Sequence, residues 1–255
     1  MKESRPKGIY ILPNLFTTAS LFSGFLGMMW AIEGQFALCA IAILISCLCD
    51  GLDGKIARLT KANSDFGIQL DSLADLVSFG VTPSLMIYLW QTSHFGRLGL
   101  VSSFFFIACG ALRLARFNVQ AMRSVQKSKK FFIGLPIPAA ACILASLVLF
   151  STYTHQELLV DLLPSFALAL IYLLSFLMIS RVRYTSFKDL EMIKAHPFTV
   201  SVSIVLLFVL IASEPKLFAF IFFMGYLISG LIYTMYIYSI RHGSFLRGLF
   251  RQRPS

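Results

Sequence analysis

The sequence predicts an all-α integral membrane protein, and three observations lead to that prediction. Hydrophobic residues make up 57% of the 255 residues and charged residues only 13%, whereas a soluble domain has about 25% charged residues. Several apolar runs approach the roughly 20 residues that a helix needs to cross a bilayer. The 22 Lys and Arg residues fall mostly in alternate connections between these runs, which is typical of a multi-pass protein.

The apolar runs predict eight transmembrane helices. The first run follows a basic segment like the start of a signal peptide, but no small-residue cleavage site follows it, so we expect this run to be retained. The second and seventh runs are short, and the sequence defines their boundaries least well. The predicted spans are 12–32, 36–50, 70–90, 98–117, 131–151, 162–180, 198–212 and 217–239.

The basic residues predict which side of the membrane each loop faces. Arg97 and Lys216 would lie on one side, and all the other Lys and Arg residues on the opposite side. Because cytoplasmic loops collect basic residues, we expect a cell-membrane protein with both termini and the Asp-rich segment 49–76 in the cytoplasm. The net charge of +10 would then face anionic lipids, so the basic composition does not require nucleic acid as a partner.

Four aspartates border the second and third spans at helical spacings. If the second helix continues past residue 50, Asp50 and Asp53 lie on one stripe of it, at about 100° per residue. Asp71 and Asp75 are four residues apart and share one face of the third helix. A connection of about ten residues makes the two helices antiparallel. The four carboxylates would therefore face one another at the cytoplasmic mouth of the bundle.

Carboxylates in this arrangement indicate a metal site. Two like charges 4 Å apart repel by about 4 kcal/mol at an effective dielectric constant of 20, and bound cations remove that cost. Oxygen ligands suit Mg²⁺, Mn²⁺ or Ca²⁺ rather than zinc. Four shared carboxylates can hold two ions about 3.5–4 Å apart, which activates an attacking oxygen and stabilises a leaving one. Gly54 and Gly67 leave room for a bulky group, and Arg58 suits a phosphate oxygen.

Two other interpretations of the Asp-rich segment remain open at this point. In a solvated loop the acidic residues would balance Lys55, Arg58 and Lys61, which explains Asp65 but not the one-face placement of the other four. In a cation-coupled transporter, intramembrane acidic residues would mark an ion path. Such residues are expected near the bilayer midplane, whereas these lie at one edge of the apolar segments.

The segment that begins at Asp50 resembles the signature of the CDP-alcohol phosphotransferase family. That signature is D-x-x-D-G-x-x-A-R-x8-G-x3-D-x3-D, and this chain has the required residue at every fixed position. The resemblance implies a six-helix core over residues 1–180. Residues 181–255 would add a cytoplasmic loop, two further transmembrane helices and a basic tail. The resemblance also implies a homodimer that replaces the CMP of a CDP-linked lipid with an alcohol.

The resemblance implies a role for each residue of the signature. Asp50, Asp53 and Asp71 would be ligands of a two-metal site for Mg²⁺ or Mn²⁺, while Asp75 would complete the second metal site and act as the general base. Residues of the signature and of the first span would bind CDP, namely Gly54, Ala57, Arg58, Gly67, Asn14 and Thr17. An ordinary helix start explains Asn14 and Thr17 nearly as well.

Two further stretches, GALRLARFN at 110–118 and FFIGLPIPAAA at 131–141, resemble the membrane-bound phosphatidylserine synthases within this family. The resemblance implies transfer of phosphatidyl from CDP-diacylglycerol to L-serine. Arg116 and Asn118 would bind serine, and Arg113 would share that role or hold a lipid phosphate. On spacing alone, two arginines that mark the membrane interface are a slightly better interpretation, and the family resemblance reverses that preference. Glycerol 3-phosphate, inositol phosphate and choline are alternative acceptors.

Overall fold

The described part of the protein is predominantly helical, as the sequence predicts. The computed structural model describes residues 11–59, 64–123, 131–152, 157–180, 182–185 and 214–250. Within these ranges, six helical segments are long and apolar enough to cross a membrane, and a seventh, shorter apolar helix packs among them. An all-α multi-pass membrane protein is therefore confirmed. The predicted span 198–212 lies outside the described residues.

The first two helices form a closely packed pair. Helix α1 spans Ile11–Ile32 and α2 spans Phe36–Leu59. The turn between them contains Gly34 at a φ of 78°, a left-handed conformation that glycine adopts at little cost. Helix α2 continues well past residue 50, the end of its predicted span. Asp50 and Asp53 therefore lie on one continuous helix, as the stripe of aspartates requires.

The third transmembrane segment contains a π-helical turn between two α-helical parts. Ser64 caps its start, because the Ser64 Oγ accepts a hydrogen bond from the Gly67 N–H at 3.0 Å. One 3₁₀ turn at 92–95 follows this segment, and a long helix comes after the turn. Helix α3, the π turn, helix α4 and helix α5 span Asp65–Asp75, Leu76–Val81, Thr82–Trp90 and Arg97–Arg123.

The segment that precedes the next helix is extended, which corrects the predicted span 131–151. Gly134 has a φ of 83°, and Pro136 has an extended ψ of 138° at the helix start. Neither conformation continues a helix backwards, so the helix begins only at Ile137. Strand β1 pairs antiparallel with strand β2, which follows helix α7. Elements β1, α6, α7 and β2 span Phe131–Ile133, Ile137–Ser151, Glu157–Ile179 and Arg183–Thr185.

Helix α6 lies at the centre of the molecule. Every residue from 140 to 149 is buried, which is expected of a helix that is apolar on all sides. The last described helix, α8, spans Pro215–Phe250, and its Leu227 belongs to the same hydrophobic core. Large apolar side chains such as Leu48 and Phe104 are exposed on outer faces, as expected of surfaces that meet lipid. The domain boundary at residue 180 stays a prediction.

Candidate active site

Carboxylates from two helices meet close together beside α1. Asp50 and Asp53 of α2 and Asp71 of α3 each contribute an oxygen, and these three oxygens lie within 4.8 Å of one another. Asp75, one helical turn after Asp71, lies close enough to Asp50 for the two carboxyl groups to interact electrostatically. The structure thus brings together the four side chains that the spacing predicted to face one another.

The start of α3 packs against α1. A Cβ atom on Gly67 would lie 3.1 Å from the Ser64 Oγ, which is tighter than an ordinary van der Waals contact, and 3.4 Å from the Asn14 Oδ1, which is an ordinary contact. A side chain at Gly67 would therefore crowd the Ser64 cap of α3 and touch α1 at Asn14. Gly67 and Asn14 both lie at the junction of the two helices.

Thr17 connects α1 directly to the carboxylate cluster. Its hydroxyl donates to the Asp53 Oδ2 at 2.8 Å and also lies 3.2 Å from the carbonyl oxygen of Pro13. Thr17 and Asp53 are both 5% exposed. This bond fixes the orientation of the Asp53 carboxylate. The sequence contained no signal for this contact, because it joins residues 36 positions apart on two helices.

The cluster has the composition of a hard-cation site. Three carboxylates with oxygens within 4.8 Å of one another repel strongly when ionised, and Asp53 is almost entirely removed from water. Burying a charge without a partner is expensive. Carboxylate oxygens are the ligands that Mg²⁺ and Mn²⁺ prefer. The residues present therefore fit a divalent cation held by Asp50, Asp53 and Asp71.

Three of the predicted CDP-binding residues, Gly54, Ala57 and Arg58, lie along α2. A Cβ atom on Gly54 would meet no other atom within 4 Å, so the helix presents an open surface one residue after Asp53. Ala57 and Arg58 belong to the same helix, but their side chains lie outside the described part of the structure. The open surface leaves space for a bulky group beside the aspartates.

The three predicted acceptor-binding residues of α5 differ in their surroundings. Arg113 is half-buried, and its Nε atom is buried without a hydrogen-bond partner among the residues that the structure describes. Asp75 and Tyr226 of α8 lie within electrostatic range of the Arg113 guanidinium. Arg116 is exposed. A buried, unpartnered donor costs free energy that a ligand oxygen would recover, so Arg113 has the surroundings of a binding residue.

The Asn118 side chain forms hydrogen bonds with side chains of α3. Its Nδ2 atom donates to the Ser72 Oγ at 2.9 Å and lies 3.4 Å from the Gln69 Oε1. Ser72 directly follows Asp71 in the sequence. Asn118 therefore ties the end of α5 to the part of α3 that carries the carboxylates, a contact that the sequence did not predict.

Residues 10–170 match the family described as CDP-alcohol phosphatidyltransferase, and this range contains all four aspartates. The chain belongs to the CDP-alcohol phosphatidyltransferase family. The match covers α1 to α7 as far as residue 170. Helix α8 lies beyond the matched range.

Several members of the CDP-alcohol phosphatidyltransferase family are similar over most of this chain. The chain is 40% identical over 231 residues to a CDP-diacylglycerol–serine O-phosphatidyltransferase of Helicobacter pylori. The aligned region covers 90% of this chain and 93% of that protein. A protein with the same name from Methanocaldococcus jannaschii is 34% identical over 71% of this chain and 77% of its own length. An archaetidylserine synthase of Methanothermobacter thermautotrophicus is 33% identical over 72% of this chain and 73% of its own length.

Proposed function

We propose that this family member is a CDP-diacylglycerol–serine O-phosphatidyltransferase. The observation that carries the proposal is the similarity to the Helicobacter pylori relative, which extends over 90% of the chain. The acceptor must be bound by residues outside the shared signature, so similarity over nearly the whole chain supports the same acceptor. Archaetidylserine synthase, by its name, also concerns a serine lipid.

We infer that Asp50, Asp53 and Asp71 hold Mg²⁺ or Mn²⁺ and that Asp75 completes a second metal site. The support for the first site is that oxygens of Asp50, Asp53 and Asp71 lie within 4.8 Å of one another. The role of Asp75 is supported by the family resemblance. A divalent cation bound there would neutralise charge on the diphosphate and stabilise the departing CMP. The Thr17 hydroxyl would keep the Asp53 carboxylate in a fixed orientation through its 2.8 Å hydrogen bond.

The residues of the chain would bring the two substrates together and move one proton. Arg58 would bind the diphosphate of CDP-diacylglycerol. Asp75 would accept the proton of the serine hydroxyl as its oxygen attacks the phosphorus that carries diacylglycerol. A new serine O–P bond then forms, and the bond between that phosphorus and CMP breaks. Positioning and electrostatic stabilisation supply most of the rate in phosphoryl transfers of this kind.

Arg113 is the strongest candidate for binding the serine carboxylate. It is half-buried, has a buried Nε without a partner and lies near Asp75. Arginine can bind a carboxylate through two parallel hydrogen bonds. Arg116 is exposed, so it suits a lipid phosphate at the membrane surface. Asn118 would act by fixing α5 against α3.

The reaction would take place at the cytoplasmic face of the cell membrane. The charge distribution supports this orientation, because only Arg97 and Lys216 would lie on the opposite side. CDP and serine are water-soluble and the acyl chains are not, so a site at the membrane edge can meet both. The family resemblance supports a homodimer.

An assay of purified protein with CDP-diacylglycerol, Mn²⁺ or Mg²⁺ and a panel of alcohols tests the acceptor. We expect phosphatidylserine to form faster than any product from glycerol 3-phosphate, inositol phosphate or choline. Faster formation of phosphatidylglycerol phosphate would contradict serine as the acceptor and leave family membership intact.

A further inference from the structure

Three buried serines connect the helices that carry the aspartates, and the proposed reaction does not use them. Ser20 lies on α1, Ser46 on α2 and Ser78 in the π turn, and each is at most 2% exposed. We refer to these three residues as the serine cluster. A buried hydroxyl needs a hydrogen-bond partner, and in this cluster the partners belong to neighbouring helices.

The hydrogen bonds of the serine cluster join all three helical segments. The Ser20 and Ser46 Oγ atoms are 2.6 Å apart, and the Ser46 Oγ donates to the Ser20 carbonyl oxygen at 3.1 Å. The Ser78 Oγ donates to the same carbonyl oxygen, also at 3.1 Å. The carbonyl group of Ser20 therefore holds α2 on one side and the π turn on the other.

Two members of the serine cluster each lie one helical turn from an aspartate of the site. Ser46 is four residues before Asp50, and Ser78 is three residues after Asp75. Residues three or four apart lie on the same helix face. The serine cluster therefore lies directly below the aspartates in both α2 and the third segment.

The same relation holds on α1. Ser20 is three residues after Thr17, whose hydroxyl donates to the Asp53 Oδ2. All three segments around the carboxylates are thus tied to one another one turn away from them.

A glycine on α1 brings the π turn close enough for these bonds. A Cβ atom on Gly24 would overlap the Ser78 Oγ and lie 2.8 Å from the Ser78 Cα. The Thr82 Oγ1 also donates to the Gly24 carbonyl oxygen at 3.0 Å. The π turn begins directly after Asp75, and such turns occur frequently at functional sites. Helix α1 therefore fixes the position along the helix axis, and the rotation about it, of the segment that carries Asp71 and Asp75.

We propose that the serine cluster is a positioning element for the metal site. Together with the Gly24 contact, it would set the separation between the aspartates of α2 and those of the third segment. A divalent cation requires its ligands at defined distances, so a shift of one pair relative to the other would weaken binding. This inference rests on the proposed function in one respect, namely that the aspartates hold a cation.

The test compares Ser46→Ala and Ser78→Ala with a matched control, Ser175→Ala. Ser175 is 0% exposed, but its hydroxyl donates only within its own helix, to the Ile171 carbonyl oxygen at 2.6 Å. Mn²⁺ binding to purified protein without substrate is measured by electron paramagnetic resonance, and thermal unfolding is measured without metal. We expect the Mn²⁺ Kd to rise about fivefold to tenfold in the two cluster variants, the effect of losing one buried hydrogen bond. The control should bind Mn²⁺ like the wild type, with a similar change in unfolding temperature.

A second pair of variants tests the glycine contact. Gly24→Ala should weaken Mn²⁺ binding and lower turnover at saturating metal while the KM for CDP-diacylglycerol stays the same. Gly225→Ala should change neither, because a Cβ atom there meets no other atom within 4 Å.

Each outcome has a distinct meaning. Mn²⁺ binding that is unchanged in the cluster variants, or changed equally in Ser175→Ala, would overturn the positioning role alone. The same conclusion follows if the cluster variants only lose thermal stability or fail to fold. If the wild-type protein binds no Mn²⁺, the proposed metal site and the positioning role both fail.

Discussion

Asp65 and Asp71 lie on the same helix, but only Asp71 contributes to the carboxylate cluster. Asp65 is exposed in the first turn of α3. We expect Asp71→Ala to abolish phosphatidyl transfer, because it removes a shared metal ligand, whereas Asp65→Ala should keep wild-type activity. Incorporation of radiolabelled serine into lipid measures both. Equal losses in the two variants would show that negative charge on α3, rather than ligation, is what the reaction requires.

Asp75→Asn separates binding from chemistry. Asparagine retains an oxygen and nearly the same shape, but it cannot accept the proton of the serine hydroxyl. We expect CDP-diacylglycerol to bind within about tenfold of wild type, a change of about 1.4 kcal/mol. Turnover should fall by about 10²–10⁴, the usual contribution of general-base catalysis. Single-turnover kinetics measure the chemical step, and wild-type turnover would show that another group is the base.

Arg113 and Arg116 differ in burial, Arg113 being half-buried and Arg116 exposed. The sequence favoured Arg116 and Asn118, because burial cannot be read from two basic residues at one helix end. We expect Arg113→Ala to raise the KM for serine about tenfold or more, since losing a hydrogen bond to a charged group costs about 1.5–3 kcal/mol. The KM for CDP-diacylglycerol should change little. Arg116→Ala is the matched control, and a larger effect of Arg116→Ala on the serine KM would reverse the assignment.

At the scale of single elements, the long helices could be predicted and their local irregularities could not. The stripe formed by Asp50 and Asp53 required α2 to continue past residue 50, and the structure confirms this. The π turn after Asp75 left no signal in the sequence, and in the structure its Ser78 lies close against Gly24 of α1. Strand β1 was missed because apolar residues 131–133 fit a short strand as well as a buried helix.

Gly134 is the residue that makes this extended segment possible. It has a φ of 83°, its N–H donates to the Val182 carbonyl oxygen at 2.8 Å, and a Cβ atom on it would lie 2.5 Å from the Met178 carbonyl oxygen. We expect Gly134→Ala to destabilise the protein by about 1–3 kcal/mol, the usual cost of such backbone strain. Thermal unfolding in detergent measures the change. Gly225→Ala is the control, and equal unfolding temperatures in the two variants would contradict this role.

At the scale of the whole molecule, the distribution of basic residues predicts the orientation in the membrane. A Cys-free background with Lys127→Cys or Arg97→Cys tests it in intact cells. We expect an impermeant maleimide to label position 97, which is exposed after the 3₁₀ turn, and not position 127. Labelling of position 127 from outside would show that the protein has the opposite orientation, with the aspartates on the outer face.

The sequence did not predict how the last described helix, α8, packs. Apolar composition indicates that α8 crosses the membrane, but not which helices it contacts. In the structure Leu227 is 2% exposed and belongs to the central core, and Tyr226 lies near Arg113. These contacts depend on tertiary packing between segments far apart in the sequence, and Tyr226 and Arg113 are more than a hundred residues apart.

We propose that the aspartate cluster performs a metal-dependent transfer of phosphatidyl to serine. Its most direct test is phosphatidylserine formation by the purified protein from CDP-diacylglycerol and serine, first in EDTA and then after addition of excess Mn²⁺. We predict no product in EDTA, full recovery with Mn²⁺ and no recovery in Asp71→Ala. Product formation that continues in EDTA, or none under any condition, would contradict the account.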